Sequence, residues 1–291
     1  MLLRLHVKNF RLLRDADLEF HDVPTVLIGP NASGKSTVLE ALDFLSRCAD
    51  EGLAAATAAH GGFDGVRTIG AEGPIEIVTT WFFSVTPTPE EPRYCMLQWR
   101  LSLARAHNGG VRVERESLVD EGNGQARPLV ADEGGRRLVL PENGSTDGPS
   151  EVTEADALAF HAFVDKERFP GLYWLRSVVR NVRVLGSLPT SPSWGRGNAA
   201  QTSPRDSLVI APKMFLDRQG LGLANVLYAL NTDHGEAWAR LEGAFRAEFP
   251  FVRRILFPAE PGGARITFAL EDARFPGRTI RAAEMSDGMV A

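Results

Sequence analysis

Alternating apolar and polar residues open the chain and predict β-strands. Residues 2–8 alternate as an edge strand does, and residues 16–20 repeat the pattern after a short connection. We expect these two strands to pair in an antiparallel arrangement. An apolar run over residues 23–28 predicts the next strand, and residues 38–45 have the spacing of an amphipathic helix.

Further elements follow from the same patterns. β-Branched and aromatic residues predict strands over residues 75–83, 94–104 and 111–119. Helical spacing recurs over residues 151–169, 221–230 and 236–248. Two last strands are expected at 251–257 and 265–270. Turn-forming residues between these elements predict hairpin loops with short strands over 120–150 and a mobile Pro/Ser/Gly-rich segment at 188–207.

Composition and charge exclude several classes of protein. The chain has 291 residues, 44% of them hydrophobic and 24% charged, with a net charge of −5. This charge gives no general attraction for polyanions, so any contact with nucleic acid requires a local patch. The absence of an apolar run of about 18 residues and of a signal peptide leads us to expect a cytoplasmic protein with no membrane segment. Cys48 and Cys95 are too few for a disulfide framework.

The most specific motif lies between the apolar run and the first helix. It reads Gly29-Pro30-Asn31-Ala32-Ser33-Gly34-Lys35-Ser36-Thr37 and fits the phosphate-binding loop G-x-x-x-x-G-K-[ST]. The glycines let backbone N–H groups turn toward phosphate oxygens, and the following helix adds its dipole. Lys35 supplies a mobile positive charge, and the Ser36 hydroxyl can ligate Mg²⁺. The alternative is a plain glycine turn between a strand and a helix.

A second motif lies near the C-terminus, where Ser286-Asp287-Gly288 follows Met285. Alone, such a triplet is typical of a turn or a helix N-cap. Together with the phosphate loop, the triplet becomes a candidate for a second nucleotide-binding motif.

Together these features resemble the ABC-type ATPases of the RecF/SMC/OLD group, also called "AAA" ATPases. The resemblance covers nearly the whole chain. It is carried by the opening strand Val7-Lys8-Asn9-Phe10-Arg11, the phosphate loop, the segment over residues 217–227 and the motif at residues 285–288. It implies an α/β P-loop NTPase fold of ABC type, with a mixed sheet, an N-terminal antiparallel β portion and an inserted helical lobe.

The resemblance also implies a domain organisation. Residues 1–291 would form one ABC-type ATPase domain. A nucleotide-binding lobe with a β subdomain would span 1–150, a mainly helical lobe with the flexible 188–207 loop would span 151–250, and return strands with the signature motif would span 251–291.

The family assigns roles to the matching residues. Lys35 would neutralise charge on the β- and γ-phosphates of ATP, Ser36 would hold Mg²⁺, and the amides of residues 31–37 would cradle the phosphates. The signature at Ser286, Asp287 and Gly288 would cap the γ-phosphate of ATP in a second subunit, which implies a homodimer. Asn9 and Arg11 would approach the nucleotide, although a surface arginine at the end of a strand is the alternative for Arg11.

One element of the family pattern is missing from the sequence. The family requires an apolar strand ending in Asp-Glu after the signature, and the sequence ends at Ala291. We therefore expect a truncated domain without this catalytic carboxylate. An apolar run that ends in Asp-Glu also occurs earlier, at Leu129-Val130-Ala131-Asp132-Glu133. Pro128 and Gly134 beside it indicate a turn between short strands instead. Gln98 is a poor candidate for the glutamine that senses Mg²⁺.

Three functions remain open. The first is a Mg²⁺-dependent ATPase head that dimerises around ATP in DNA repair, chromosome maintenance or phage defence, with DNA or a nuclease as partner. The second is a nucleotide-gated module that regulates a partner protein without hydrolysis. The third is a P-loop kinase or GTPase, which the signature-like end and the lack of an Asn-Lys-x-Asp motif argue against.

Overall fold

The computed structural model describes most of the chain and divides it into two compact units. The units are Met1–Val184 and Leu185–Ala291. The described residues are 1–88, 91–122, 126–133, 135–142, 148–184, 208–209, 216, 220–259, 265–275, 277–285 and 289. The predicted mobile segment at 188–207 and the signature residues Ser286, Asp287 and Gly288 lie outside them.

The first unit combines one large sheet with five helices among its described residues. Its elements are β1 (Leu2–Phe10), β2 (Leu13–Glu19), α1 (Lys35–Glu51), α2 (Leu53–Ala59), α3 (Gly62–Val66), β3 (Ile75–Thr88), β4 (Glu91–Arg105), β5 (Val111–Asp120), β6 (Arg127–Glu133), β7 (Arg136–Val139), β8 (Ser150–Val152), α4 (Ala159–Ala162) and α5 (Pro170–Arg180). The strands form an eight-stranded sheet in the order β2-β1-β3-β4-β5-β6-β7-β8. Every pairing in this sheet is antiparallel.

The N-terminal hairpin confirms the first sequence prediction and corrects part of it. Strands β1 and β2 pair in antiparallel register, with Leu5 opposite Leu18 and Val7 opposite Ala16. However, β1 is not an edge strand, because β3 pairs with its other side. The predicted mixed sheet is also not what the described strands form, since most neighbours in the sheet are consecutive strands joined as hairpins, which pair antiparallel.

The strand predicted over residues 23–28 is wrong. These residues are all described and none of them belongs to a strand. Val23, Val26 and Ile28 are 66%, 75% and 91% exposed, while Leu27 packs against the core. An apolar run becomes a strand only when a neighbour accepts its backbone hydrogen bonds, and no described strand pairs with this one.

The core of the first unit lies between the sheet and α1. Ala41, Phe44 and Leu45 lie on the buried side of this helix, in one cluster with Leu5 and Phe10 from β1. The rings of Phe44 and Phe10 are 5.6 Å apart. This packing fixes the helix whose first residue is Lys35.

The long helix predicted over 151–169 is wrong as well. This stretch contains β8, the short α4 and extended backbone. Arg137 donates hydrogen bonds to the carbonyl oxygens of Glu154 and Ala157, which holds the chain away from helical geometry. The Glu116 carboxylate accepts a hydrogen bond of 3.0 Å from the N–H of Ala159, where α4 begins. Tertiary contacts therefore override the helical spacing.

The ion pair behind these contacts is buried. Arg137 Nη1 lies 3.3 Å from Glu116 Oε2, and both side chains are almost fully enclosed. Desolvation raises the pKa of Glu116, although Ala159 and Arg137 oppose this shift by favouring the charged form.

The turn predicted at residues 129–133, where the sequence resembles an apolar strand ending in Asp-Glu, is wrong. These residues belong to strand β6.

The second unit is a small helical and β assembly. Its elements are β9 (Leu208–Val209), α6 (Leu223–Asp233), α7 (Gly235–Glu248), β10 (Val252–Leu256), β11 (Arg265–Ile266), β12 (Ala269–Asp272) and β13 (Thr279–Arg281). Strands β10, β12 and β13 form one antiparallel sheet, and β9 pairs with β11.

Most predictions for this unit are confirmed. Helices α6 and α7 and strand β10 correspond to the predicted elements. The strand predicted over 265–270 is divided into β11 and β12, which belong to different sheets. Among the described residues, no helix has both the length and the apolar composition needed to cross a membrane.

A charged pair lies at the end of β12 in the second unit. Arg274 donates hydrogen bonds to both carboxylate oxygens of Asp272, at 2.9 Å and 2.7 Å. These bonds favour the ionised carboxylate and lower the pKa of Asp272 from 3.8 to about 2.

The Asp272 pair predicts a loss of stability in acid. Because its pKa is depressed in the folded state, the pair stabilises the fold above pH 3.8, and this stabilisation is lost as pH falls toward about 2. Asp272→Asn should remove this part of the pH dependence. Thermal unfolding of both proteins across this pH range tests it, and parallel curves would contradict it.

A second prediction concerns the anchoring of α1. Phe44→Ala should lower the free energy of unfolding by about 3–5 kcal/mol, because it removes a fully buried ring and leaves a cavity. Leu39→Ala is the control on the same helix, since Leu39 is 45% exposed and should change stability by less than about 0.5 kcal/mol. Denaturant unfolding measures both, and equal losses would show that the buried side of α1 does not anchor it.

Candidate functional site

The phosphate loop leads directly into the N-terminus of α1. Helix α1 begins at Lys35, and its first intrahelical bond runs from the N–H of Val38 to the carbonyl of Gly34. The N–H groups of Lys35, Ser36 and Thr37 therefore have no acceptor within the helix. Three free donors at the positive end of a helix dipole form an anion-binding site.

The loop before the helix depends on two left-handed backbone positions. Ala32 has φ 62° and Gly34 has φ 92°. A Cβ atom on Gly34 would lie 3.0 Å from the Leu13 side chain, so strand β2 closes one side of the loop. The dihedral angle thus favours glycine at this position, and a Cβ atom would also crowd the Leu13 side chain.

Lys35 is held by its own loop. Its ammonium group donates hydrogen bonds to the carbonyl oxygens of Gly29 and Pro30, at 2.7 Å and 2.6 Å, and lies 3.4 Å from the Ser33 hydroxyl. These acceptors are neutral, so the positive charge of Lys35 has no carboxylate partner among them. A phosphate oxygen could replace them with a stronger, charge-assisted bond.

The loop lines a cleft of about 480 Å³. Its lining residues come from the β1–β2 turn, the phosphate loop and the first turns of α1; they are Arg11, Leu12, Asn31, Ala32, Ser33, Gly34, Lys35, Ser36, Thr37 and Glu40. The volume is in the range of small-molecule sites. The structure therefore brings most of the predicted phosphate-loop residues together around one cavity.

Arg11 extends over this cleft from the turn between β1 and β2. Its guanidinium lies 2.8 Å from the Glu40 carboxylate and donates a hydrogen bond of 3.2 Å to the carbonyl of His60. Its backbone N–H bonds to the carbonyl of Val66 at 2.8 Å. Arg11 thus lies beside the phosphate loop, and its contact with a nucleotide stays a prediction.

Asn9 lies elsewhere. It is buried, and its side-chain amide donates hydrogen bonds to the carbonyl oxygens of Glu72 and Pro74, at 3.1 Å and 2.9 Å. Its own carbonyl accepts the N–H of Thr68. Asn9 is not among the lining residues of the cleft, and in this conformation it fastens the end of β1 to the segment before β3.

Ser36 is the residue of the cleft that was predicted to ligate Mg²⁺. Ser36 is exposed and lines the cleft, where its hydroxyl could serve as one oxygen ligand for Mg²⁺. Within the described ranges, no group of three or more His, Cys, Asp or Glu side chains could hold a metal ion. Magnesium bound together with a nucleotide usually takes further ligands from the phosphates.

Sequence reasoning missed Glu40. It lies four residues after Ser36 on α1, so both side chains are on the same face of the helix. This spacing was the available signal. In the described part of the cleft lining, Glu40 is the only carboxylate, and it is already paired with Arg11.

A larger concavity of about 1080 Å³ lies along β3, β4 and β5. Its lining includes charged side chains that are already paired. Glu76 faces Lys8 at 3.8 Å, and Glu114 contacts both Arg112 and Ser102. Its described lining lies mainly on strands and contains no helix N-terminus, so the smaller cleft is the better candidate for an anion site.

Comparison with known proteins supports the assignment of the N-terminal region. Residues 1–82 match the model of the AAA ATPase domain family. A stretch of 45 residues is 51% identical to the OLD nuclease of Thermus scotoductus, and this match covers 16% of the chain and 8% of that protein. A stretch of 45 residues is 44% identical to the DNA replication and repair protein RecF of Trichodesmium erythraeum, covering 16% and 12%.

These similarities agree with the RecF/SMC/OLD-like group of ATPases and confirm the resemblance found in the sequence. The matching stretches span only 8% and 12% of the two relatives. The similarity therefore concerns the N-terminal region and not the complete relatives.

The glycine at the end of the loop gives a testable prediction. Gly34→Ala should destabilise the protein by more than about 1 kcal/mol, because alanine at φ 92° is strained and its Cβ would crowd Leu13. Gly61→Ala is a matched control, since Gly61 is the left-handed N-cap of α3, with φ 90° and ψ 23°, and the nearest atom to its added Cβ lies at an ordinary contact distance of 3.7 Å. Denaturant unfolding compares them, and equal losses would show that the Leu13 contact is unimportant.

Proposed function

We propose that the chain binds ATP with Mg²⁺ in the phosphate-loop cleft and acts as a P-loop ATPase head. The observation that carries this proposal is the convergence of three features on one cavity. These are the free N–H groups that begin α1, the ammonium of Lys35 and the exposed hydroxyl of Ser36. The match of residues 1–82 to an ATPase domain supports it.

The proposed binding exchanges internal contacts for contacts with phosphate. Lys35 would leave the carbonyl oxygens of Gly29 and Pro30 and neutralise charge on the β- and γ-phosphates. The amides from Asn31 to Thr37 would surround the phosphate chain, and the dipole of α1 would favour its negative charge. Arg11 would add a second cation at the rim of the cleft.

Magnesium would be held by Ser36 and by phosphate oxygens. When bound, it would supply charge neutralisation between the phosphates. Ser36 is suited to this role because it lines the cleft and is exposed. Asn9 would then act on the nucleotide only after releasing the carbonyl oxygens of Glu72 and Pro74.

A homodimer is part of the proposal. Ser286, Asp287 and Gly288 resemble a signature that caps ATP bound to a second subunit. A serine hydroxyl and a glycine N–H are suitable donors for a γ-phosphate. This part rests on the sequence resemblance, since the three residues lie outside the described part of the chain.

The proposed cellular role follows from the relatives. One is named a nuclease and the other a DNA replication and repair protein. These names support a role in DNA repair with DNA or a nuclease as partner, and the family resemblance adds chromosome maintenance or phage defence in the cytoplasm as proposed roles. The ABC type of the head is part of the same proposal.

A regulatory module that binds ATP without hydrolysis is the second candidate. One observation favours it. Glu40 is the only carboxylate in the described cleft lining, and it is engaged with Arg11 at 2.8 Å rather than free to position a water molecule. Hydrolysis uses a residue that positions the attacking water near the γ-phosphate, and a carboxylate is one group that can do so.

The proposal predicts that Lys35→Ala weakens ATP binding by about tenfold or more, because it removes the only lysine charge of the loop. Lys166→Ala is the control, since Lys166 lies over the rings of Tyr173 and Trp174 and outside the cleft. Isothermal titration calorimetry with ATP and Mg²⁺ measures both affinities. Unchanged affinity in Lys35→Ala would contradict the proposed site.

Phosphate release separates the two candidate functions. Steady release that disappears in Lys35→Ala would identify an ATPase. Binding without release would favour the regulatory module. The full 291-residue chain should be used for both measurements.

A further inference from the structure

The turn that carries Arg11 is conformationally strained. Among the described residues, the non-glycine positions with positive φ are Asn9 at 60°, Arg11 at 48° and Ala32 at 62°. Ala32 is in the phosphate loop, and the other two flank Phe10 at the end of β1. Strain of this kind persists only where the surrounding structure over-determines the backbone.

Two hydrogen bonds hold the backbone of this turn. The N–H of Arg11 bonds to the carbonyl of Val66, and the carbonyl of Asn9 accepts the N–H of Thr68. The backbone of Arg11 is thus fixed on one side of the cleft. Its long side chain is the part that can change partner.

The guanidinium of Arg11 forms an ion pair with the carboxylate of Glu40. Glu40 Oε2 lies 2.8 Å from Arg11 Nη1, and the two side chains are 29% and 39% exposed. The Nε atom of Arg11 is buried and has no hydrogen-bond partner. Glu40 therefore satisfies only part of the donor capacity of this cation.

The same carboxylate lines the cavity in which phosphate would bind. A triphosphate entering this cavity would meet the negative charge of Glu40 and would compete with it for Arg11. Phosphate oxygens match a guanidinium as well as a carboxylate does, and they carry more charge. The Glu40 carboxylate thus competes with a bound phosphate for Arg11.

We infer that Glu40 is a positioning residue that holds Arg11 at the rim of the cleft and gives it up to the phosphates of bound ATP. This inference rests on the proposed function and adds a residue that tunes its affinity. The exchange lowers the affinity for ATP, because binding must break the Arg11–Glu40 ion pair. It also makes the movement of Arg11 depend on an occupied cleft.

The test is a double-mutant cycle at these two positions. Glu40→Gln keeps the shape of the side chain and removes its charge, so it should tighten ATP binding about two- to fivefold, the range for a partly exposed ion pair. Arg11→Ala should weaken binding. In the Arg11→Ala background, Glu40→Gln should give a clearly smaller gain, because the ion pair is already absent.

Glu51→Gln is the matched control. Glu51 is on the same helix, is 39% exposed like Glu40 and pairs with Arg47 at 3.1 Å, but it lies outside the cleft lining. It should leave ATP affinity unchanged. Glu40→Ala is the second variant if Glu40→Gln does not fold, and thermal unfolding of every variant separates loss of fold from loss of affinity.

The outcomes separate this inference from the proposed function. If wild-type protein fails to bind ATP, or binds it independently of Lys35, the proposed function itself is wrong. If binding depends on Lys35 but Glu40→Gln leaves it equal or weaker, only the role of Glu40 is overturned. An equal gain in the presence and absence of Arg11 would also overturn it, because Glu40 would then repel phosphate directly.

Discussion

The burial of one side of α1 against the sheet is the constraint on which the candidate site depends. Phe44 lies between Phe10 of β1 and His60, with ring distances of 5.6 Å and 5.5 Å. Because these contacts fix the helix axis, they also fix the direction in which its free N–H groups point. A loop that binds anions through backbone donors needs such a rigid support, since small displacements weaken every hydrogen bond at once.

The charges of the cleft are arranged around this rigid frame. Lys35 rests on neutral carbonyl oxygens, whereas Arg11 rests on a carboxylate. The two cations therefore differ in how readily they change partner. The acceptors of Lys35 among the described residues are neutral, while Arg11 must leave an opposite charge when an anion arrives. The site thus combines a cation with neutral partners and a cation restrained by an ion pair.

Sequence patterns predicted the parts of the fold that depend on local order. The β1–β2 hairpin, α1 and the two helices of the second unit follow from periodicity, and the strands β3 to β5 follow from their β-branched and aromatic residues. The motif from Gly29 to Thr37 also located the cleft. The failures all involve distant partners. Residues 151–169 have helical spacing, but Arg137 holds their carbonyl oxygens, and no local pattern announces that contact. Glu40 was missed because its importance depends on Arg11, which comes from another element.

The exposed segment before the phosphate loop has a consequence for the handling of this protein. Val26 and Ile28 are 75% and 91% exposed, in a stretch whose backbone pairs with no described strand. Apolar side chains beside unpaired N–H and C=O groups form a template for strand addition between molecules. A strand added at this segment, immediately before Gly29, would therefore lie beside the candidate phosphate-binding cleft.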